Sequence, residues 1–294
     1  MIAISGGQGF MGSALVRALA AERQVLSITT GRGLLQSGSL TRMGWEHPGL
    51  KDLLKQATVF VHTAGKVQGS PQALQSANVA AVQRYLTLLP ANLQQIIHFS
   101  SANVHLSEPN AYARSKAAGE EVWQASPFAG RLVILQPTLI YGPGDCKNIY
   151  RLIRLVDRFP ALPLPSTGKL RPVFIDDVVH LVCSLIEEQA GKGGTWIVSG
   201  KEVTDFRDMA ERIAKHLGKK RLLLPIPGVL LSAAVRAAGI AGKRDLEQQA
   251  RNYQMDKIWH DSSVWERLPG RTVPLDDGLR RSIAAYQKMS QVSL

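Results

Sequence analysis

Cysteine occurs only twice in 294 residues, at Cys146 and Cys183. Two thiols build no disulfide framework and lack the paired spacing of a zinc knuckle, so the chain reads as one with unpaired thiols and no metal site, suited to a reducing, cytoplasmic compartment. Long apolar runs are also missing. The most apolar stretch, VLLSAAVRAAGIAG at 229–242, ends after about 14 residues and contains Arg236, against the ~20 that a bilayer crossing needs. It reads as a core or cleft-lining helix, with a helix lying on a membrane surface as the alternative. Residues 2–5 read as a core strand rather than as part of a secretory leader. Acidic residues are scarce, 23 Asp and Glu against 35 Lys and Arg, which leaves a formal charge of +12. The excess is diffuse: residues 1–200 carry 18 basic against 12 acidic side chains and residues 201–294 carry 17 against 11, so each part is +6. The densest run, Lys215 to Arg221, has no interleaved aromatics to stack bases, so no nucleic-acid partner is expected; contact with a membrane surface stays open.

What is present is alternation. Apolar strand-like runs (IAIS at 2–5, VLSIT at 25–29, 57–64, 95–101, 131–142, RPVFIDD and TWIVSG at 195–200) are separated by helical patterns near 11–22, 72–89 and 111–125. This pattern predicts an α/β fold: a doubly wound, Rossmann-type parallel sheet covered by helices on both faces. The proline-rich FPALPLPSTG at 159–168 leaves the sheet, and beyond Gly200 helices and short turns take over. Residues 1–142 with about 171–200 are therefore expected to form a dinucleotide-binding domain. Residues 143–170 with 201–294 are expected to form a smaller, mainly helical substrate domain.

Gly6, Gly9 and Gly12 recur every third residue, after a strand and at the mouth of a helix. Such glycines allow a tight turn, close approach of a bulky anion, and close helix–strand packing, while the open helix end favours a pyrophosphate. A plain tight turn would also explain the triplet taken alone. At the end of the second strand, VLSITTGRG holds no carboxylate for a ribose hydroxyl, and Arg32 stands where a 2′-phosphate could meet it. An exposed loop arginine is the competing reading, so the cofactor is NAD or NADP with a slight lean to NADP. Tyr112 and Lys116, four residues apart after Pro109 and Asn110, share one helix face, where an ammonium would lower the phenol's pKa and fit it for proton transfer. An exposed amphipathic helix can carry the same pair. Ser101, at a strand end where open α/β sheets collect ligands, favours the chemical reading.

Taken in order, SGGQGFMGSAL, HTAG at 62–65, FSSANVH at 99–105, YARSK, ILQPTLIYGPGD at 134–145 and RPVFIDDVV at 171–179 resemble the extended short-chain dehydrogenases/reductases, the family of nucleotide-sugar epimerases, dehydratases and reductases. The resemblance implies that Tyr112 is the general acid/base, that Lys116 holds the nicotinamide ribose and tunes Tyr112, and that Ser101 hydrogen-bonds the reacting oxygen. It implies cofactor contacts from Gly6, Gly9, Phe10, Met11, Gly12, Thr63, Ala64, Gly65 and Pro137. Substrate contacts are implied for Lys66, Asn103 and Arg171, with the alignment placing Arg171 one position late. Asn78 matches a supporting asparagine, and a satisfied polar helix residue explains it as well. Asp176 and Asp177 read as helix caps.

Ala102 and Asn103 replace the Asp-Glu pair that sugar 4,6-dehydratases carry after the strand hydroxyl, and the cysteine of 3,5-epimerising reductases is missing. What remains is hydride transfer at one carbon: a 4-epimerase or 4-ketoreductase of a diphosphate-linked sugar, such as a UDP-N-acetylhexosamine. The alternatives are a non-catalytic dinucleotide-binding scaffold and a reductase of a non-sugar carbonyl compound. A homodimer through the helices near 72–89 and 111–125 is a further expectation of the resemblance.

Overall fold

The computed structural model describes residues 1–165, 168–188, 193–227, 255–266 and 272–292. The apolar run at 229–242 lies outside the described residues. Contacts divide the chain into two units, the first comprising Met1–Pro137, Val178–Val198 and Asp261–Pro269, the second Thr138–Asp177, Ser199–His260 and Gly270–Leu294.

The first unit is built on an eight-stranded sheet. Its strands are β1 (Ile2–Ser5), β2 (Val25–Thr29), β3 (Leu34–Ser37), β4 (Leu40–Gly44), β5 (Val59–His62), β6 (Gln95–Phe99), β7 (Leu132–Pro137) and β11 (Gly194–Val198), in the order β11-β7-β6-β5-β1-β2-β4-β3. Every pairing is parallel except β3 with β4. The central strands are buried along their whole length because helices cover both faces, which is why they read as unbroken apolar runs. Strand order reverses at β1, between β2 and β5, and ligands of such sheets sit at the carboxyl ends of the strands at this switch point. The β3–β4 hairpin was not expected from the sequence. Its turn uses Gly38 at φ +56°, and Leu34 and Leu35 of β3 stay exposed, so no buried alternation marks it.

Helix α1 (Phe10–Ala20) follows β1, and one continuous helix runs over 71–88 as α3 (Pro71–Gln75), a π-helical turn at Ser76–Ala80 and α4 (Ala81–Leu88). Helix α5 (Ala111–Gln124) starts on an Asn110 cap, whose side chain accepts from the Ala113 N–H at 2.8 Å. Trp123 from α5, Phe60 from β5 and Tyr85 from α4 are buried together; the ring centroids of Phe60 and Tyr85 are 4.9 Å apart.

The second unit contains the two-residue strands β8 (Ile140–Tyr141) and β10 (Val173–Phe174), which pair with each other. The expectation had residues 138–142 and 171–177 in the first domain, extending its sheet. They group with the second unit because Val173 pairs with Ile140 rather than with a strand of the large sheet. Helix α6 (Ile149–Arg158) leads into β9 (Ala161–Pro165), which pairs in parallel with β12 (Leu222–Ile226), and α8 (Phe206–His216) packs against α6 and the helix Leu275–Val292. Helix α7 (Ile175–Glu187) begins with Asp176 and Asp177. Asp177 also accepts the Val273 N–H at 3.1 Å, and burial raises its carboxyl to about 7. Cys146 and Cys183 are free.

Candidate active site

The glycine loop joins β1 to α1. Gly6 stands at φ +73°, a conformation that suits glycine, and a Cβ there would lie 2.7 Å from the Ala64 nitrogen. The Gly6 carbonyl accepts the Gly9 N–H at 2.8 Å, and a Cβ on Gly12 would collide with that same carbonyl and lie 2.7 Å from the Thr63 hydroxyl. The coil is thus wound too tightly for side chains, and it presents the amino end of α1 at Phe10 and the buried Met11. The first turn of α1 has no acidic residue and Gly9 provides no side-chain cap, so its N–H groups and positive dipole end are free to take an anion. Thr63 fastens the end of β5 to the end of β1 through its hydroxyl to the Ser5 carbonyl at 2.6 Å. These features fit the diphosphate of a dinucleotide.

The strand ends carry the chemistry. Ser101 follows β6, is 7% exposed, and accepts the Asn103 N–H at 3.2 Å. The neighbouring Ser101 hydroxyl acts on the Tyr112 phenol of α5, favouring its ionised form. Lys116, one turn further along α5, is 5% exposed and donates to the Phe99 carbonyl at 2.5 Å. Burial brings the Lys116 ammonium down to about 8, against the pull of the Glu120 carboxylate. The expectation that Lys116 lowers the Tyr112 pKa is corrected here. Although Tyr112 as a residue is only half-buried, crowding around its hydroxyl raises the phenol above its usual value, and the Ser101 hydroxyl is what lowers it.

Asn78 sits in the π-helical turn and ties three pieces together. Its Oδ1 accepts the Lys66 N–H at 2.8 Å, and its Nδ2 donates to the Lys66 carbonyl at 2.9 Å and to Ser115 Oγ at 2.8 Å. Ser115 in turn donates to the Tyr112 carbonyl at 2.8 Å. Asn78 therefore holds the loop of Ala64, Gly65 and Lys66 against the helix of Tyr112 and Lys116. Lys66 itself keeps an exposed side chain.

Three groups went unread in the sequence. Glu120 is 8% exposed and accepts from Gln136 Nε2 through both carboxylate oxygens at 3.0 Å, while Gln136 Oε1 meets His105 Nε2 at 2.7 Å. Its position four after Lys116 was the available signal. His62 and His98, paired across β5 and β6, bring their Nδ1 atoms within 2.9 Å, so one must donate and the other accept. Burial holds both neutral, His62 down to about 3.

The remaining expected residues are placed as follows. Pro137 is buried at the end of β7 opposite Val198. Arg32 is 80% exposed along its side chain and pairs with Glu46 at 3.4 Å. Arg171 belongs to the second unit, where it donates to the Lys201 carbonyl at 2.8 Å while its buried Nε has no partner among the described residues.

The NAD dependent epimerase/dehydratase family matches residues 2–199. A ceramide reductase of Caulobacter vibrioides is 28% identical over 254 residues, covering 80% of this chain and 77% of that protein. A UDP-glucose 4-epimerase of Vibrio cholerae is 26% identical over 322 residues, covering 97% and 95%. Among solved structures, a UDP-glucuronic acid 4-epimerase from Bacillus cereus in complex with NAD superposes with a TM-score of 0.78 at 19% identity, covering 98% of this chain and 99% of that one. No helix among the described residues is long and apolar enough to cross a membrane. With a family match over residues 2–199, the chain belongs to the NAD-dependent epimerase/dehydratase family of extended short-chain dehydrogenases/reductases.

Proposed function

We propose that the protein is an NAD(P)-dependent 4-epimerase or 4-ketoreductase of a diphosphate-linked sugar. The observation that carries this reading is the placement of the buried Ser101, just past the end of β6, with Tyr112 and the buried Lys116 one turn apart on α5. Gly6, Gly9, Gly12 and the amino end of α1 would hold the diphosphate, Thr63 to Gly65 the adjoining ribose side, and Lys116 the nicotinamide ribose. Bound there, the dinucleotide supplies hydride donation or acceptance at one carbon. Tyr112 moves the matching proton at the substrate oxygen, and Ser101 orients that oxygen through its hydroxyl. In the free protein the raised Tyr112 phenol keeps its proton at neutral pH, which readies it as an acid toward a carbonyl. Ala102 and Asn103 offer no second acid and base, so loss of water is not part of the reaction. Arg171, with an unused Nε donor, is the candidate for the substrate diphosphate. The NAD bound by solved relatives supports NAD, whereas Arg32 leaves NADP open, and calorimetric titration with each decides between them.

The ceramide reductase relative favours a second reading, in which the carbonyl belongs to a lipid and the hydride is delivered once. Incubation with UDP- and dTDP-sugars, with and without NADH or NADPH, tests both by reduced-nicotinamide absorbance and sugar NMR. Inversion at C4 without net consumption supports the epimerase, and stoichiometric consumption supports the ketoreductase. No turnover across the panel sinks the nucleotide-sugar reading and leaves the lipid one.

A further inference from the structure

The second unit carries a surface that the proposed chemistry does not use. In the parallel pair β9–β12, Leu222 lies opposite Ala161 and Leu224 opposite Pro163, so each matched pair shares a face. Leu162 and Leu164 are buried on the other side, while Leu222 is 60% and Leu224 45% exposed. Apolar side chains on an exposed sheet face are what a sequence ordinarily avoids. The start of β12 is held beside Pro160 by the Leu222 N–H to the Pro160 carbonyl at 2.9 Å, next to Phe159, 44% exposed, at the end of α6.

In the segments that lead into both strands the charge is of one sign. Residues 149–165 and 218–227 contain Arg151, Arg154, Arg158, Lys219, Lys220 and Arg221 against Asp157 alone. Arg151, Arg154 and Arg158 fall with Leu155 on one exposed stripe of α6, at helical spacing. Asp157 is already neutralised by Lys219 at 2.5 Å, and Arg221 spends its guanidinium on the Val156 and Asp157 carbonyls. Arg151, Arg154 and Lys220 make no ion pair among the described residues.

We propose that this face docks on an anionic lipid bilayer, with Leu222, Leu224 and Phe159 entering the interface and the stripe of α6 with Lys220 meeting lipid phosphates. Exposed apolar side chains flanked along the chain by cations that make no ion pair among the described residues match the two properties of such a surface, a greasy boundary and a negative potential. A protein partner would need acidic groups and a shaped recess, whereas the face is a shallow two-stranded sheet. The inference goes beyond the proposed function, and only its bearing on the substrate rests on the second reading, in which the carbonyl belongs to a lipid.

Co-sedimentation of the full chain with phosphatidylglycerol vesicles and with phosphatidylcholine vesicles tests it without turnover, so failure here is distinct from failure of the catalytic reading. Binding to the anionic vesicles alone, weakened at high salt, is expected. R154E/K220E and, separately, L222E/L224E should each lower the bound fraction by about tenfold or more. NADH-binding fluorescence, expected to be unchanged, shows that the variants are folded. Equal binding to both vesicle types, no binding to either, or retention by both variants would overturn the proposal. So would a dimer in solution that L222E/L224E dissociates, since a second copy would then be the occupant.

Discussion

Tyr112, Ser101 and Lys116 divide the labour unequally. Removing the phenol hydroxyl takes away the proton carrier while leaving the glycine coil intact. Tyr112→Phe should therefore lose about 10²–10⁴ in turnover, measured by single-turnover hydride transfer, with dinucleotide affinity unchanged. Glu120 acts at one remove. Its carboxylate holds up the pKa of Lys116, which burial has brought to about 8. Glu120→Gln removes that support, so the alkaline fall in kcat/KM should move to lower pH, while Km for a neutral substrate stays level. An unmoved alkaline limb would show that Lys116 is not the group titrating there. The placement of the proposed trio was legible in the sequence because a strand end and a four-residue helical spacing fix it locally. The Tyr112 pKa was not legible, because the crowding that raises it comes from the folded surroundings.

At the scale of elements, the coil between β1 and α1 has no spare volume. Gly12→Ala would press a methyl group against the Gly6 carbonyl, costing about 1–3 kcal/mol of stability and weakening dinucleotide binding; thermal melts with and without NAD measure both. The central strands and the helices at 10–20, 71–88 and 111–124 could be read from apolar runs and helical spacing. The β3–β4 hairpin could not, since its outer strand is exposed throughout and bears no alternation. Nor could the separate β8–β10 pair, because a strand of two residues looks like the continuation of the strand before it. The His62–His98 contact depends on the register of strands joined by a long crossover, which no local pattern encodes.

Across the whole molecule, the two units should respond to acid in opposite directions. In the first, His62 and His98 are neutral when folded but take up protons near pH 6.5 when unfolded, so stability is lost as pH falls below about 6.5. In the second, Asp177 keeps its proton up to about 7 when folded. An unfolded Asp gives it up near ~3.9, so stability is lost as pH rises from about 4 to about 7. Hydrogen exchange at pH 5 and pH 7 should show β5 and β6 amides opening more readily in acid. The Val273 amide should open less readily in acid, and Asp177→Asn should flatten only the latter trend.

The π-helical turn around Asn78 contains one residue more than an α-helix of the same span would need. Deleting Ala77 would let the backbone relax into regular α-helix over the same span, leaving the flanking turns in place while the residues of the bulge itself turn to new directions. The amide that clasps Lys66 and Ser115 would then face elsewhere, while the aromatic packing of Tyr85 behind the cut could persist. A single-codon deletion is thus the cleanest way to separate a well-formed scaffold from a competent enzyme.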